Sequence, residues 1–182
     1  MAFGLGFDKA KILQAAEKYV IQGKIPAAIE EYQKIVKKDP KDLMTLNAIG
    51  DLYMRIGKND EALSTFHTLA EKSVEAGMVP RAIAVYKRIT KLDPDSLVAL
   101  EKLGELYSMQ GLMRDSRTYY QQAVDIHLKR RDPEKARVVF PEQIGCQENL
   151  DGPLTLPDHP LMRQDRIGPG NVLDHEGLLQ LL

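Results

Sequence analysis

Four histidines and one cysteine are the residues of this chain best suited to hold a metal or attack a substrate, and their spacing serves neither purpose. His67 and His127 stand far apart, while His159 and His175 lie beside Asp158 and Asp174. A zinc site legible in sequence needs several ligands at constrained spacing, such as two histidines one helical turn apart. Structural or solvated histidines are therefore expected, with no metal and no cofactor. Cys146 has no histidine placed by any recognisable nucleophile motif, and the chain has neither a G-x-S-x-G elbow nor a glycine-rich phosphate loop after a strand. The closing Leu178-Leu179-Gln180-Leu181-Leu182 fits L-x-x-L-L, a helical pattern that docks in apolar grooves. Folding back over the open end of a helical array is the more economical role for it. No catalytic residue is assigned, and the chain is not expected to be an enzyme.

What would position any side chain here is a repeat. Gly23, Pro26, Tyr32, Asp39-Pro40, Gly50, Tyr53 and Gly57 recur 54 residues later as Gly77, Pro80, Tyr86, Asp93-Pro94, Gly104, Tyr107 and Gly111. Self-similarity at a few tens of residues means stacked units, each too small to bury its own apolar face alone. Apolar residues at three- and four-residue steps resolve each period into three helices, over 26–38, 43–56 and 60–76 in the first. Gly23, Gly57, Gly77 and Gly111 stand where helices end in a left-handed residue, and the Asp-Pro pairs stop one helix before the next turn.

A preceding helix over 9–22 is the last helix of an incomplete unit, with Asp8 as its N-cap and Phe7 stapled onto Ile12. Seven helices are thus predicted within 9–129, antiparallel to their sequence neighbours. A third period opens at Arg131 with Pro133, Ala136 and Phe140, and then Pro141 falls mid-helix, at a cost of about 3 kcal/mol. Five of the ten prolines lie from there on, so residues 141–182 are predicted to be a largely irregular tail with at most a short helix over 175–182. The division is an extension over 1–8, a helical repeat domain over 9–140 and that tail.

The recurring residues resemble the tetratricopeptide repeat, in its bacterial type, over 9–140. That family repeats a helix-turn-helix pattern of about 34 residues with large apolar, Leu-Gly, Tyr, Gly, Ala, aromatic and Pro positions. Leu46, Ile49-Gly50, Tyr53, Gly57, Ala62 and Phe66 fit it, as do Leu100, Leu103-Gly104, Tyr107, Gly111, Ser116 and Tyr120. An earlier copy uses Ile12, Ala15-Ala16, Tyr19, Gly23, Ala28, Tyr32 and Pro40, and an overlapping one uses Phe66, Leu69-Ala70, Gly77, Ala82, Tyr86 and Pro94. In this pattern Gly50, Ala28, Gly104 and Ala82 let paired helices approach while the aromatics fill the wedge between them. The resemblance implies an all-α, right-handed superhelical solenoid of antiparallel helix pairs. One departure stands out: the helix over 60–76 serves as second helix of one repeat and first helix of the next, which leaves its groove face open.

The resemblance also implies a binding groove lined by the first helix of each repeat, with the ninth position facing it. Here that position holds Glu17, Asp51, Glu71 and Glu105, all acids. Neighbouring groove positions hold Leu13, Asn47, His67 and Glu101, and Arg55 lies on the same helix as Asp51. A ladder of carboxylates favours lysine- or arginine-bearing segments through complementary potential. The bland alternative is that acids are common on any exposed helix and these are merely solvated, since exposed ion pairs contribute only about 0 to 1 kcal/mol. The family's clamp for acidic chaperone tails needs lysines, arginines and asparagines, and of the neighbouring groove residues only Asn47 suits it.

Bulk properties point the same way. With 43% hydrophobic and 28% charged residues the composition is that of an average soluble domain, and a formal net charge of −1 gives no attraction for nucleic acid or anionic lipid. An RNA-binding helical repeat would need a basic stripe that is missing. No stretch approaches the roughly 20 apolar residues that cross a bilayer, and the start lacks a secretory n-region. The expectation is a cytoplasmic, non-enzymatic adaptor or assembly scaffold that binds a protein or peptide partner, basic ones preferred, without nucleic acid or membrane insertion. The alternative is a truncated or frame-altered fragment of a larger tetratricopeptide regulatory or secretion-related protein whose array continued past Phe140.

Overall fold

A computed structural model of the protein describes residues 8–139. The Phe7 staple, Cys146, His159, His175, the irregular tail, the closing leucines and the continuation past Phe140 all lie outside the described residues. Within them the chain forms α1 (Lys9–Ile21), α2 (Ile25–Lys38), α3 (Leu43–Arg55), α4 (Asn59–Glu75), α5 (Val79–Leu92), α6 (Leu97–Met109), α7 (Met113–Lys129) and α8 (Pro133–Val138), with no strand among the described residues. The first seven fall where the 54-residue period places them. The last is the opening of the third period. Two compact units divide the chain between Tyr120 and Gln121, inside α7.

Local chemistry sets the helix ends. Asp8 caps α1 by accepting from Lys11 N at 3.2 Å, and Asp42 caps α3 by accepting from Thr45 N at 3.3 Å, each satisfying an otherwise orphaned donor. The turn after α3 shows how the helices close. Gly57 adopts φ 74°, its N–H donates to the Met54 carbonyl at 3.1 Å, and Lys58 N–H donates to the Tyr53 carbonyl at 3.0 Å. Those bonds need a left-handed residue, which glycine reaches without a Cβ clash. The same pair of bonds recurs after α7, but there the residue is Arg131, at φ 58°, where the period places a glycine.

In the first unit each helix packs on the next, so short turns make sequence neighbours antiparallel. One core joins Ala16 of α1 and Ile25, Ala28, Ile29, Tyr32 and Ile35 of α2 to Ile49 and Leu52 of α3. A second runs from Leu43 and Leu46 of α3 through Phe66, Leu69 and Ala70 of α4 and Tyr86 and Ile89 of α5 to Leu103 and Tyr107 of α6. α4 packs on both α3 and α5, as its double register requires. The small residues work sterically: a methyl at Gly50 would meet Phe66 Cδ1 at 2.8 Å, and one at Gly104 would meet the Tyr120 ring at 2.8 Å. Tyr53 and Tyr107 occupy matching places, since Gln33 Nε2 donates to the Tyr53 hydroxyl at 3.1 Å while Lys87, 54 residues after Gln33, lies 5.3 Å from the Tyr107 ring centre. In the second unit Val124, Leu128 and Ala136 form a small cluster with Val139 against it.

Candidate partner-binding face

Helical spacing decides which side of α3 and α6 faces out. Leu46, Ile49, Gly50 and Leu52 of α3 are buried, which leaves Met44, Asn47, Asp51 and Met54 on the opposite side at steps of three and four. On α6 the inner residues are Leu100, Leu103, Gly104 and Tyr107, and Val98, Glu101, Glu105 and Met109 lie opposite. Met44 is 77% exposed and Val98, 54 residues on, is 55% exposed. Val74 of α4 and Ile21 of α1 add to this, four residues after Glu17 in the case of Ile21 and three after Glu71 in the case of Val74. Exposed apolar side chains therefore interleave with the acids. Sequence reasoning missed them because an apolar residue in an amphipathic helix is assigned by default to the buried stripe. The recurrence of Met44 as Val98, out of phase with the core residues, was the available signal.

The predicted groove residues divide into separate groups. Asn47 and Asp51 belong to an internal tie: Arg88 of α5 donates to Asn47 Oδ1 at 2.9 Å and pairs with the Asp51 carboxylate, while Asn47 Nδ2 donates to Asp51 Oδ2 at 2.9 Å. The guanidinium also lies 4.1 Å from the centre of the Phe66 ring, so α3, α4 and α5 meet at one side chain. Arg55 is exposed and Glu101 half-buried on their helices. Glu17 is exposed on α1, where its charge adds to burial in raising the Tyr32 hydroxyl above its ordinary pKa. Lys9 of α1 reaches Asp42 at 2.7 Å, and Thr45 Oγ1 donates to the same carboxylate at 2.7 Å. Burial pushes Asp42 up, but Lys9 and the two Thr45 bonds outweigh it and hold the carboxyl below its usual value.

Glu71 and Glu105 come together. They line one cleft of about 210 Å³ with Val74 and Glu75 of α4, Tyr86 of α5, and Lys102 and Leu106 of α6. On the shared helix α4, Glu71 is exposed and lines this cleft together with Glu105 of α6. Lys102 Nζ donates to Glu105 at 2.6 Å, and Lys72 holds Glu75 at 2.8 Å. Burial, and then the charges of Glu71 and Glu105, push the Tyr86 hydroxyl up to about 12, so it is protonated at neutral pH. His67 packs edge-on against Tyr86 with ring centres 6.4 Å apart, a packing contact on the shared helix. Among the described residues no helix is long and apolar enough to cross a membrane, and no group of three His, Cys, Asp or Glu side chains could hold a metal ion.

The family model described as tetratricopeptide repeat matches residues 13–73 and again 67–136, the two matches overlapping on α4. A curated relative, the BBSome complex member BBS4 of Bos taurus, is 27% identical in an alignment 112 residues long that covers 54% of this chain and 22% of that protein. The chain thus spans about a fifth of that relative's length. Among solved structures, that of MamA protein is 20% identical and covers 77% of this chain and 91% of its own, with a TM-score of 0.34. The N-terminal domain of stress-induced protein-1 from C. elegans is 18% identical, with coverages of 75% and 93% and a TM-score of 0.37.

Proposed function

The chain belongs to the tetratricopeptide-repeat family, whose domains bind protein partners, and on that premise we propose that it is a non-enzymatic adaptor or assembly scaffold. It holds a basic, partly apolar segment of its partner against the exposed faces of α3, α4 and α6. The observation that carries this reading is the convergence of Glu71 and Glu105 on one cleft, with Val74 in its lining and with Met44, Val98 and Met109 exposed on the neighbouring helices. Carboxylates supply complementary potential and orientation, and the apolar side chains supply burial at about 25 cal/mol per Å². A segment that is only basic would gain little, because exposed pairs are each worth about 0 to 1 kcal/mol. The setting proposed is the cytoplasm.

An array of 12-residue peptides varying basic and apolar content, probed with the full chain at several salt concentrations, tests the proposal. Binding should concentrate on peptides carrying both residue classes and should weaken with salt, as the Debye length falls from about 10 Å at 0.1 M to about 3 Å at 1 M. Charge reversal by Glu71→Lys with Glu105→Lys should reduce affinity at least about tenfold while far-UV circular dichroism is unchanged. Unaltered affinity in that variant sinks the reading.

A further inference from the structure

Within the α4–α5–α6 cleft the carboxylates are not equivalent. Glu75 carries Lys72 and Glu105 carries Lys102, each three residues away on its own helix, whereas Glu71 is exposed and makes no ion pair among the described residues. A second, independent feature lies beside it. Tyr86 is 2% exposed, yet it lines the cleft, and its hydroxyl makes no hydrogen bond among the described residues. Every fully enclosed side-chain polar atom among those residues has a partner, so this hydroxyl meets the cleft rather than the core. A tyrosine hydroxyl both donates and accepts, and one left unpaired in a cleft wall keeps that capacity for a ligand. Val74 and Leu106 give the cleft apolar lining next to these polar atoms.

We infer that this cleft seats a single arginine side chain of the partner segment, its guanidinium on Glu71 with Glu105 and the Tyr86 oxygen alongside, and its stem on Val74 and Leu106. The inference rests on the partner-binding reading of this face and sharpens it to one residue. Arginine fits better than lysine for two reasons. Its planar fork can address several acceptors at once, and it is less strongly hydrated than an ammonium, so entering a partly apolar cleft costs it less. Lys102 is the internal competitor: its ammonium holds Glu105 and repels an arriving cation, so its removal should tighten binding.

Titration of the isotopically labelled full chain with N-acetyl-arginine amide, N-acetyl-lysine amide and N-acetyl-citrulline amide, followed by amide chemical shifts, tests it. Arginine amide should move residues 71–75 and 102–106, lysine amide should bind several-fold more weakly, and the neutral isostere citrulline should leave the cleft unmoved. Glu71→Gln should weaken arginine binding about tenfold, as loss of a charge-assisted contact does. Lys102→Gln should strengthen it. Equal response to arginine and citrulline, shifts confined to other helices, or wild-type binding by Glu71→Gln would each overturn the seat. If those results came while basic peptides still bound this face, the seat would fall and the adaptor reading would stand. A blank peptide array with arginine amide still moving the cleft would instead keep the seat and remove the peptide-binding reading.

Discussion

Arg88 ties α3 to α5 and occupies the Asp51 carboxylate, which the proposed reading offers to a basic partner, and Arg88→Met separates the two effects. Methionine keeps an aliphatic stem near Phe66 and removes the guanidinium. Four interactions are lost: the bond to Asn47 Oδ1 at 2.9 Å, the pair with Asp51, the cation–π contact 4.1 Å from the Phe66 ring centre, and a weak exposed contact to Met54 Sδ at 3.7 Å that adds little. The bond from the charged guanidinium to the Asn47 amide oxygen is worth about 1 kcal/mol at this partly exposed position. The ion pair joins side chains that are 34% and 48% exposed, so solvent screening limits it to about 0.5 kcal/mol. The ring contact adds about 0.5 to 1 kcal/mol at such exposure. Rehydration of the released Asp51 carboxylate removes the large penalty that a buried stranded charge would carry. The expected loss is therefore about 2 kcal/mol. Urea unfolding of wild type, Arg88→Met, Asp51→Asn and the double variant would give it, with a coupling between the two positions of about 0.5 kcal/mol. The freed Asp51 should at the same time strengthen binding of basic peptides to the α3 face. A loss below about 0.5 kcal/mol with no coupling would show that Arg88 does not tie α3 to α5.

Arg131 holds a left-handed conformation that costs a non-glycine residue about 1 kcal/mol, so Arg131→Gly should raise stability by roughly that amount in urea, and a loss would contradict the turn. Gly50→Ala and Gly104→Ala should each destabilise by about 1 to 2 kcal/mol, because overlap with Phe66 or Tyr120 outweighs alanine's better helix propensity; calorimetry showing a gain would refute the close approach. Asp42 is held below its ordinary value of 3.8, so the unfolded chain binds its proton more readily than the folded one. Its contribution is present above about pH 4 and is lost as pH falls below that, and Asp42→Asn should flatten acid unfolding in this window, as circular dichroism against pH would show.

The period made the scaffold readable because packing repeats faithfully. Glycine-ended helices, Asp-Pro stops and the small-to-aromatic pairs Gly50–Phe66 and Gly104–Tyr120 are local or nearly local chemistry, and each recurs 54 residues on. Side chains that face outward obey no such constraint. Asp51 and Glu105 hold the same register 54 residues apart, yet the first is tied to Arg88 across two helices and the second to Lys102 one turn away. Arg88 itself stands one period after Lys34, which pairs with Glu31 on its own helix at 2.6 Å. Equal register therefore fixed where a carboxylate stands and left its partner undetermined, because a long flexible cation can choose among neighbours that differ between periods. The shared helix shows the same limit from another side. Its two overlapping registers do not say which face turns outward, whereas its packing on both α3 and α5 brings Glu71 into the lining of one cleft with Glu105. The proposed arginine seat thus lies where the repeat is least regular: at a helix counted twice, beside a tyrosine whose ring fills the core and whose hydroxyl is left without a partner in it.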